Sequence, residues 1–297
     1  RRWKMELDVT SNFHTSDMKA TVEIKEPKAL RGRYNAGVAK KGGTTKMSFH
    51  IPEISGFTSY KLKAVMELSN GYKQEFELPI DFALAFYADK APEIDGVLNE
   101  GEWNKEGRII SNREDQVYLL KNGDKWKSDK DLSADTYIMW DEENLYIACA
   151  VTDNVFSCNY KGTSIWQGDS LQFGLAFARE TKDGAVTATF TEVGTALTPD
   201  GVELVKYSSE SGTTMDVKES KSAVTRNGNK TVYEVCMPWS EAVPAGAEIK
   251  PNVEIGYSML VNDNDKSGRR GWIEFGSGIG VYKAVNEFAR IRLVPKQ

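Results

Sequence analysis

The stretch SIWQGDSLQFGLAF, Ser164 to Phe177, decides the fold class. From Leu171 onward, Leu171, Phe173, Leu175 and Phe177 alternate with Gln172, Gly174 and Ala176. A period of two is the signature of a strand with one face in a core. Trp166 stands outside that pattern. It precedes the strand, in a turn marked by Gly168 and Asp169. A large aromatic at a strand rim, among polar groups, needs a reason other than core packing.

Working outward, the same alternation recurs almost everywhere. Upstream, Met47, Phe49 and Ile51 alternate, as do Tyr60, Leu62, Ala64, Met66 and Leu68. Ser69-Asn70-Gly71 then supplies a hairpin turn, because Asn-Gly tolerates positive φ. Phe76 to Phe86 reads as one further strand, with Pro79 marking an edge or bulge. Residues 1–88 are therefore expected to form an immunoglobulin-like β-sandwich that serves as a spacer. Ala88-Asp89-Lys90-Ala91-Pro92 combines proline and charge and reads as a linker.

Residues 92–297 restart with an Asp95-Gly96 turn and Trp103, followed by a long loop from Ser111 to Asp131. Strands are expected at Ala134–Trp140, Leu145–Thr152, Val186–Glu192, Val202–Tyr207 and Thr213–Val217. More follow at Thr231–Met237, Glu254–Val261, Gly271–Phe275 and Phe288–Leu293. In the second of these, Leu145, Ile147, Cys149 and Val151 share the core face. With no long helical period, the fold class is all-β: two β-sandwich domains, the second larger than the first.

Composition removes several functions. Among 297 residues, 38 Lys and Arg face 43 Asp and Glu, a net charge of −5, which argues against a nucleic-acid surface. No apolar run approaches the ~18 residues of a membrane span. Three cysteines, Cys149, Cys158 and Cys236, are odd in number and widely spaced, so neither a disulfide framework nor a zinc site is expected. The only two histidines, His14 and His50, fall in the first domain, with no cysteine or paired carboxylates near them in sequence. The chain begins RRWKMELDV, without an initiator Met or a signal-peptide core, so a longer parent is expected, with any targeting signal upstream.

Six segments of the second domain stand in a telling order: IDGVLNEGEW, WDEENLYIACAVTDN, WQGDSLQFGL, YEVCMPWS, IGYSMLVNDND and FARIRLV. Together they resemble the family 9 carbohydrate-binding modules, over residues 92–297. The resemblance implies a large sandwich shared with the haem-binding DOMON domains. It implies a sugar slot between two aromatic rings, which fall here on Trp166 and on Tyr282, where the family usually has Trp. It implies a polar contact at Gln172, often Glu in the family, and structural calcium. A further family contact falls on Leu260, a departure that leaves the sugar preference open.

Elementary chemistry agrees with that implication. A pyranose has C–H-rich faces and a hydroxyl equator. Flat aromatic faces take the C–H surface out of water while amides and carboxylates bond the hydroxyls. Trp166 beside Gln167, Asp169 and Gln172 is such a mixture; together with Tyr282, which the resemblance supplies, Trp166, Gln172 and Asp169 are the candidate sugar contacts. Asp263-Asn264-Asp265, with Glu274 further on, has the oxygen spacing of a calcium loop, although the same pattern fits a polar hairpin tip. Asp95 and Asp153 are alternative calcium ligands or turn caps. Trp103, Trp140 and Trp239 read as packing anchors, Trp272 as a flank of the site, and Trp126 as exposed or folded back.

The competing functions are weighed on the same residues. A haem domain needs axial ligands, and the second domain has no histidine. A glycosidase needs two placed carboxylates, and no strand-end motif marks a pair. A structural or adhesion module with a degenerate slot fits Tyr282 and Leu260. The preferred expectation is a non-catalytic module binding a glucan- or xylan-like polysaccharide. It would be attached to an upstream catalytic or surface domain of a secreted protein.

Overall fold

The computed structural model describes residues 2–12, 16–52, 56–180, 186–208, 217–243 and 247–296. His14 and nearly all of the expected strand Thr213–Val217 lie outside the described residues. The chain divides into two compact units, one of Arg1–Ser55 and Tyr60–Ile80, the other of Gly56–Ser59 and Asp81–Gln297.

The first unit contains β1 (Arg2–Ser11), β2 (Met18–Glu26), β3 (Gly32–Ala39), β4 (Gly43–Pro52), β5 (Tyr60–Leu68) and β6 (Lys73–Ile80). β1 and β4 pair antiparallel, and the other four form a sheet in the order β3-β2-β5-β6. The alternating residues meet in one core, where Phe49 and Ile51 of β4 join Val22 and Ile24 of β2 and Leu62 and Ala64 of β5. His50 points the other way and is exposed.

The second unit begins with β7 (Phe82–Tyr87), followed by β8 (Ile109–Ser111), β9 (Val117–Leu119), β10 (Leu132–Trp140) and β11 (Asn144–Asp153). It continues with β12 (Ser170–Glu180), β13 (Val186–Thr198), β14 (Gly201–Ser208), β15 (Lys221–Asn227) and β16 (Lys230–Pro238). The last strands are β17 (Glu254–Asp263), β18 (Gly271–Phe275) and β19 (Ala289–Leu293). The main path runs β14-β13-β12-β17-β19-β7-β10-β11-β16-β15. β18 extends one side by pairing with β17 and β9, and β8 pairs with β10.

Two expectations are corrected here. The single strand Phe76–Phe86 is two strands separated at Asp81, and the second belongs to the C-terminal unit instead of the N-terminal one. The first four residues of β7 pair parallel with β19 and its last two pair parallel with β10, so it links the two halves of the sheet. Ala83 and Ala85 are fully buried in the large core. A strand enclosed in this way reads as a nearly continuous apolar run, here FALAFY. The long loop Ser111–Asp131 is also interrupted, by a 3₁₀ turn at Glu114–Gln116 and by β9.

The core follows the alternation. Leu171, Phe173 and Leu175 of β12 face Leu145, Ile147, Cys149 and Val151 of β11, with Tyr257, Met259 and Val261 of β17. Burial pushes the Cys149 thiol up to about 12, so it stays a neutral core residue. The indoles of Trp140 and Trp239 are buried, and their N–H groups donate to the carbonyls of Val294 and Asp141 at 3.0 and 2.8 Å. Trp126 folds back and donates to the Leu132 carbonyl at 2.8 Å.

Trp103 belongs to a tighter arrangement. Fully buried Glu234 accepts from the backbone N–H groups of Asp95 and Gly96 at 3.0 and 2.7 Å and from the Trp103 indole at 3.0 Å. One carboxylate thus gathers both ends of IDGVLNEGEW. Gly96 has φ +83, and a Cβ there would come within 2.5 Å of the Thr225 side chain, so only glycine fits. Asp95 caps its own turn, accepting from Val97 N at 2.8 Å.

Candidate functional site

Core packing on one face of β12, β13, β17 and β18 sends the alternate residues to the other. Leu171 and Phe173 point inward, so Gln172 points outward; Val261 points inward, so Asn262 points outward. The outward residues form a continuous hydrogen-bonded layer. Asn262 Nδ2 donates to Gln172 Oε1 at 2.7 Å and to Ser170 Oγ at 2.9 Å. Gln172 Nε2 donates to Glu192 Oε1 at 3.0 Å, and Lys283 Nζ donates to the same oxygen at 2.7 Å. Burial pushes the Glu192 carboxyl up, against the pull of Lys283, and its second oxygen has no protein partner.

Trp166 stands beside this layer on a 3₁₀ turn, Gly162–Gln167. Ile165 anchors the turn by full burial, and Gly168 packs so closely on Cys158 that a Cβ would come within 2.6 Å of its sulfur. The ring remains 38% exposed. The Arg269 guanidinium lies 5.3 Å from its centroid and 4.3 Å from that of Trp272. Arg269 is held by Nε donating to Asn262 Oδ1 at 2.7 Å and by Nη1 donating to the Gly280 carbonyl at 3.4 Å. Behind it, Trp272 is buried and stacks on Tyr118 at 4.3 Å with an interplanar angle of 12°.

The loop joining β18 to β19 folds over the same face. Ile279 and Phe288 pack with Ala176, Leu260 and Trp272. Leu260 is thus a packing residue beneath the loop. Lys283 ties the loop to Glu192 and to the Ile279 carbonyl. Tyr282, in this loop, is 59% exposed and donates its hydroxyl to Glu287 Oε1 at 3.1 Å.

Of the four candidate sugar contacts, Trp166 and Tyr282 are at the surface and Gln172 lies in the layer beside Trp166. Asp169 is turned inward. Its carboxylate accepts from Ser157 N and from Asn264 N, the latter at 3.1 Å, and so shapes the Trp166 turn instead of facing a ligand. Burial, reinforced by the Asp153 charge, pushes its carboxyl up to about 9. Sequence reasoning missed Glu192, Asn262, Arg269 and Lys283. They come from separate segments, and only strand register shows that they meet.

The proposed cation ligands also rearrange. Glu274 lies on the outward face of β18, accepting from the Trp272 indole N–H at 2.7 Å, away from Asp263 at the end of β17. Asp153 takes its place: ligand oxygens of Asp153, Asp263 and Asp265 all lie within 4.8 Å of one another. Arg226 pairs with Asp153 at 3.1 Å and Arg270 with Asp263 at 2.8 Å. Even so, Asp263 Oδ1 and Asp265 Oδ1 are buried without a partner. Burial pushes the Asp263 carboxyl up to about 7, with Arg270 opposing and Asp265 adding to the rise.

Comparison with known proteins places this architecture. The family model described as "Carbohydrate family 9 binding domain-like" matches residues 94–294, more than half of the chain. The chain belongs to that family. Among curated relatives, it is 27% identical over 181 residues to endo-1,4-beta-xylanase A of Thermotoga neapolitana, covering 60% of this chain and 14% of that protein. It is 26% identical over 195 residues to exoglucanase XynX of Acetivibrio thermocellus, covering 65% of this chain and 15% of that protein. A family 9 module from Caldicellulosiruptor kristjanssonii, solved with cellotriose, shares the fold at a TM-score of 0.50 and 17% identity. That likeness covers 73% of this chain and 95% of the other. Family membership accounts for the six ordered segments, of which Trp166 opens the third.

Proposed function

We propose that the C-terminal unit is a non-catalytic module that binds polysaccharide by stacking a sugar on Trp166. The observation that carries this reading is an indole 38% exposed at the rim of a buried polar layer containing Gln172, Asn262 and Glu192. The ring takes the C–H face of a pyranose, and polar groups at the edge of the layer bond its hydroxyls. Tyr282 supplies a second ring, steadied by Glu287. Membership in the carbohydrate family 9 binding domain-like group supports the ligand class.

The chain spans about a seventh of the curated relatives it matches. We read it accordingly as an appended region of a larger secreted carbohydrate-active protein, in which an immunoglobulin-like unit precedes the module. A bound module raises the local concentration of its partner on the polymer. The test is depletion from solution by insoluble cellulose and xylan. The protein should leave solution with at least one polymer and stay behind with Trp166→Ala. Retention of the variant to the same extent would contradict the reading.

Calcium is part of the same proposal. The unpartnered oxygens of Asp263 and Asp265 are the hard donors that this ion takes, and Asp153 completes the group. A bound calcium would act structurally, neutralising the Asp153 and Asp263 carboxylates, whose charged form burial otherwise disfavours.

A further inference from the structure

Five arginines among the described residues are partly buried: Arg108, Arg113, Arg226, Arg269 and Arg270. Four of them are paired with an aspartate. Arg108 holds Asp135, Arg113 holds Asp115, Arg226 holds Asp153, and Arg270 holds Asp131 and Asp263. Arg269 alone has no carboxylate partner among the described residues. The acids around it are otherwise engaged. Glu192 is neutralised by Lys283 at 2.7 Å, and Glu274 accepts from the Trp272 indole. Glu274 acts on the guanidinium through its field, without a direct ion pair, and the cation lies against the rim tryptophan with no carboxylate in contact among the described residues.

Its donors are unevenly used. Nε is committed to Asn262, and Nη1 makes only a long contact of 3.4 Å to the Gly280 carbonyl. Among the described residues Nη2 has no hydrogen-bond partner. The Nη1–Nη2 edge is the part of the guanidinium that grips a carboxylate in bidentate fashion. Burial already costs this cation, drawing its pKa down to about 10. An incoming anion would offset that cost.

We propose that the Trp166 site selects an acidic sugar, a uronic acid residue whose carboxylate is received by the free edge of Arg269. This rests on the sugar-binding reading above and names its ligand class. A pyranose lying on the indole carries its C5 substituent at the ring equator. In a uronate that substituent is a carboxylate, directed sideways toward groups flanking the indole. A neutral hexose offers only a hydroxymethyl there and leaves the guanidinium unpaired.

The test is calorimetric titration of the protein with a uronic acid disaccharide, with its uncharged methyl ester, and with cellobiose. The acid should bind at least about tenfold tighter than the ester at low ionic strength, and the gap should narrow as salt is added. Arg269→Gln should erase the gap. The wild-type comparison alone is decisive, whether or not the variant folds. Acid binding no tighter than ester binding overturns the proposal. Binding of cellobiose in that case leaves the sugar-binding reading standing; absence of binding to all three removes both.

Discussion

At the residue scale, Glu234 and Trp166 are opposites. Glu234 is enclosed and satisfies three N–H donors, so its loss leaves them buried and unpaired. Glu234→Ala should destabilise the C-terminal unit by about 3 kcal/mol, measured by urea unfolding, since each orphaned donor costs on the order of 1–3 kcal/mol. Trp166 is a partly exposed ring that lies against the Arg269 guanidinium. Trp166→Ala should therefore change stability by no more than about 1 kcal/mol. The sequence makes Trp166 legible because it breaks an alternating pattern in a turn. Arg269 was not legible. It reads as one of two adjacent charges in a hairpin, SGRR, and alternation then splits the pair. Arg270 goes inward to Asp131 and Asp263, Arg269 outward to Asn262 and the indoles.

At the element scale, the loop between β18 and β19 depends on close backbone approach. A Cβ on Gly280 would lie 2.3 Å from the Trp272 indole. Gly280→Ala should displace the loop, costing roughly 1–3 kcal/mol by urea unfolding and weakening sugar affinity together. The turn carrying Trp239 offers a pH test. Glu241 accepts from Lys218 N, Glu219 N and Ser220 N, and also from the Ser220 hydroxyl. Burial pushes its pKa up, but these bonds outweigh burial and hold it below the usual glutamate value of 4.5. Its contribution to stability is thus present above that value and is lost as pH falls through the lowered one. Glu241→Gln should cost stability near pH 7 and little near pH 3, as read by urea midpoints. Elements with one wet face, such as β12, were legible from period two. β7 was not, because an enclosed parallel strand has no alternation to mark where it begins.

At the scale of the whole molecule, the unit boundary and the acidic cluster each make a demand. A fragment beginning at Asp81 retains the strand that joins both halves of the large sheet; one beginning at Pro92 lacks it. The first should unfold cooperatively and the second should not, as followed by circular dichroism. Calcium at a hundredfold excess over its dissociation constant adds about 2.7 kcal/mol to a folded state that binds it. The melting temperature should then rise by about 5 °C or more, and Asp263→Asn should abolish the rise. The ordered motifs made the large sandwich legible over 92–297. The site was only half legible, since its polar layer is assembled by pairing between strands far apart in the chain. The central claim is that a sugar rests on Trp166. Calorimetric titration with a short oligosaccharide tests it most directly. At roughly 0.3 kcal/mol per heavy atom, a disaccharide should bind with a Kd of about 10 μM or weaker. That heat should vanish in Trp166→Ala while the protein stays folded. An unchanged isotherm in the variant, or no heat from any sugar in the wild type, would contradict it.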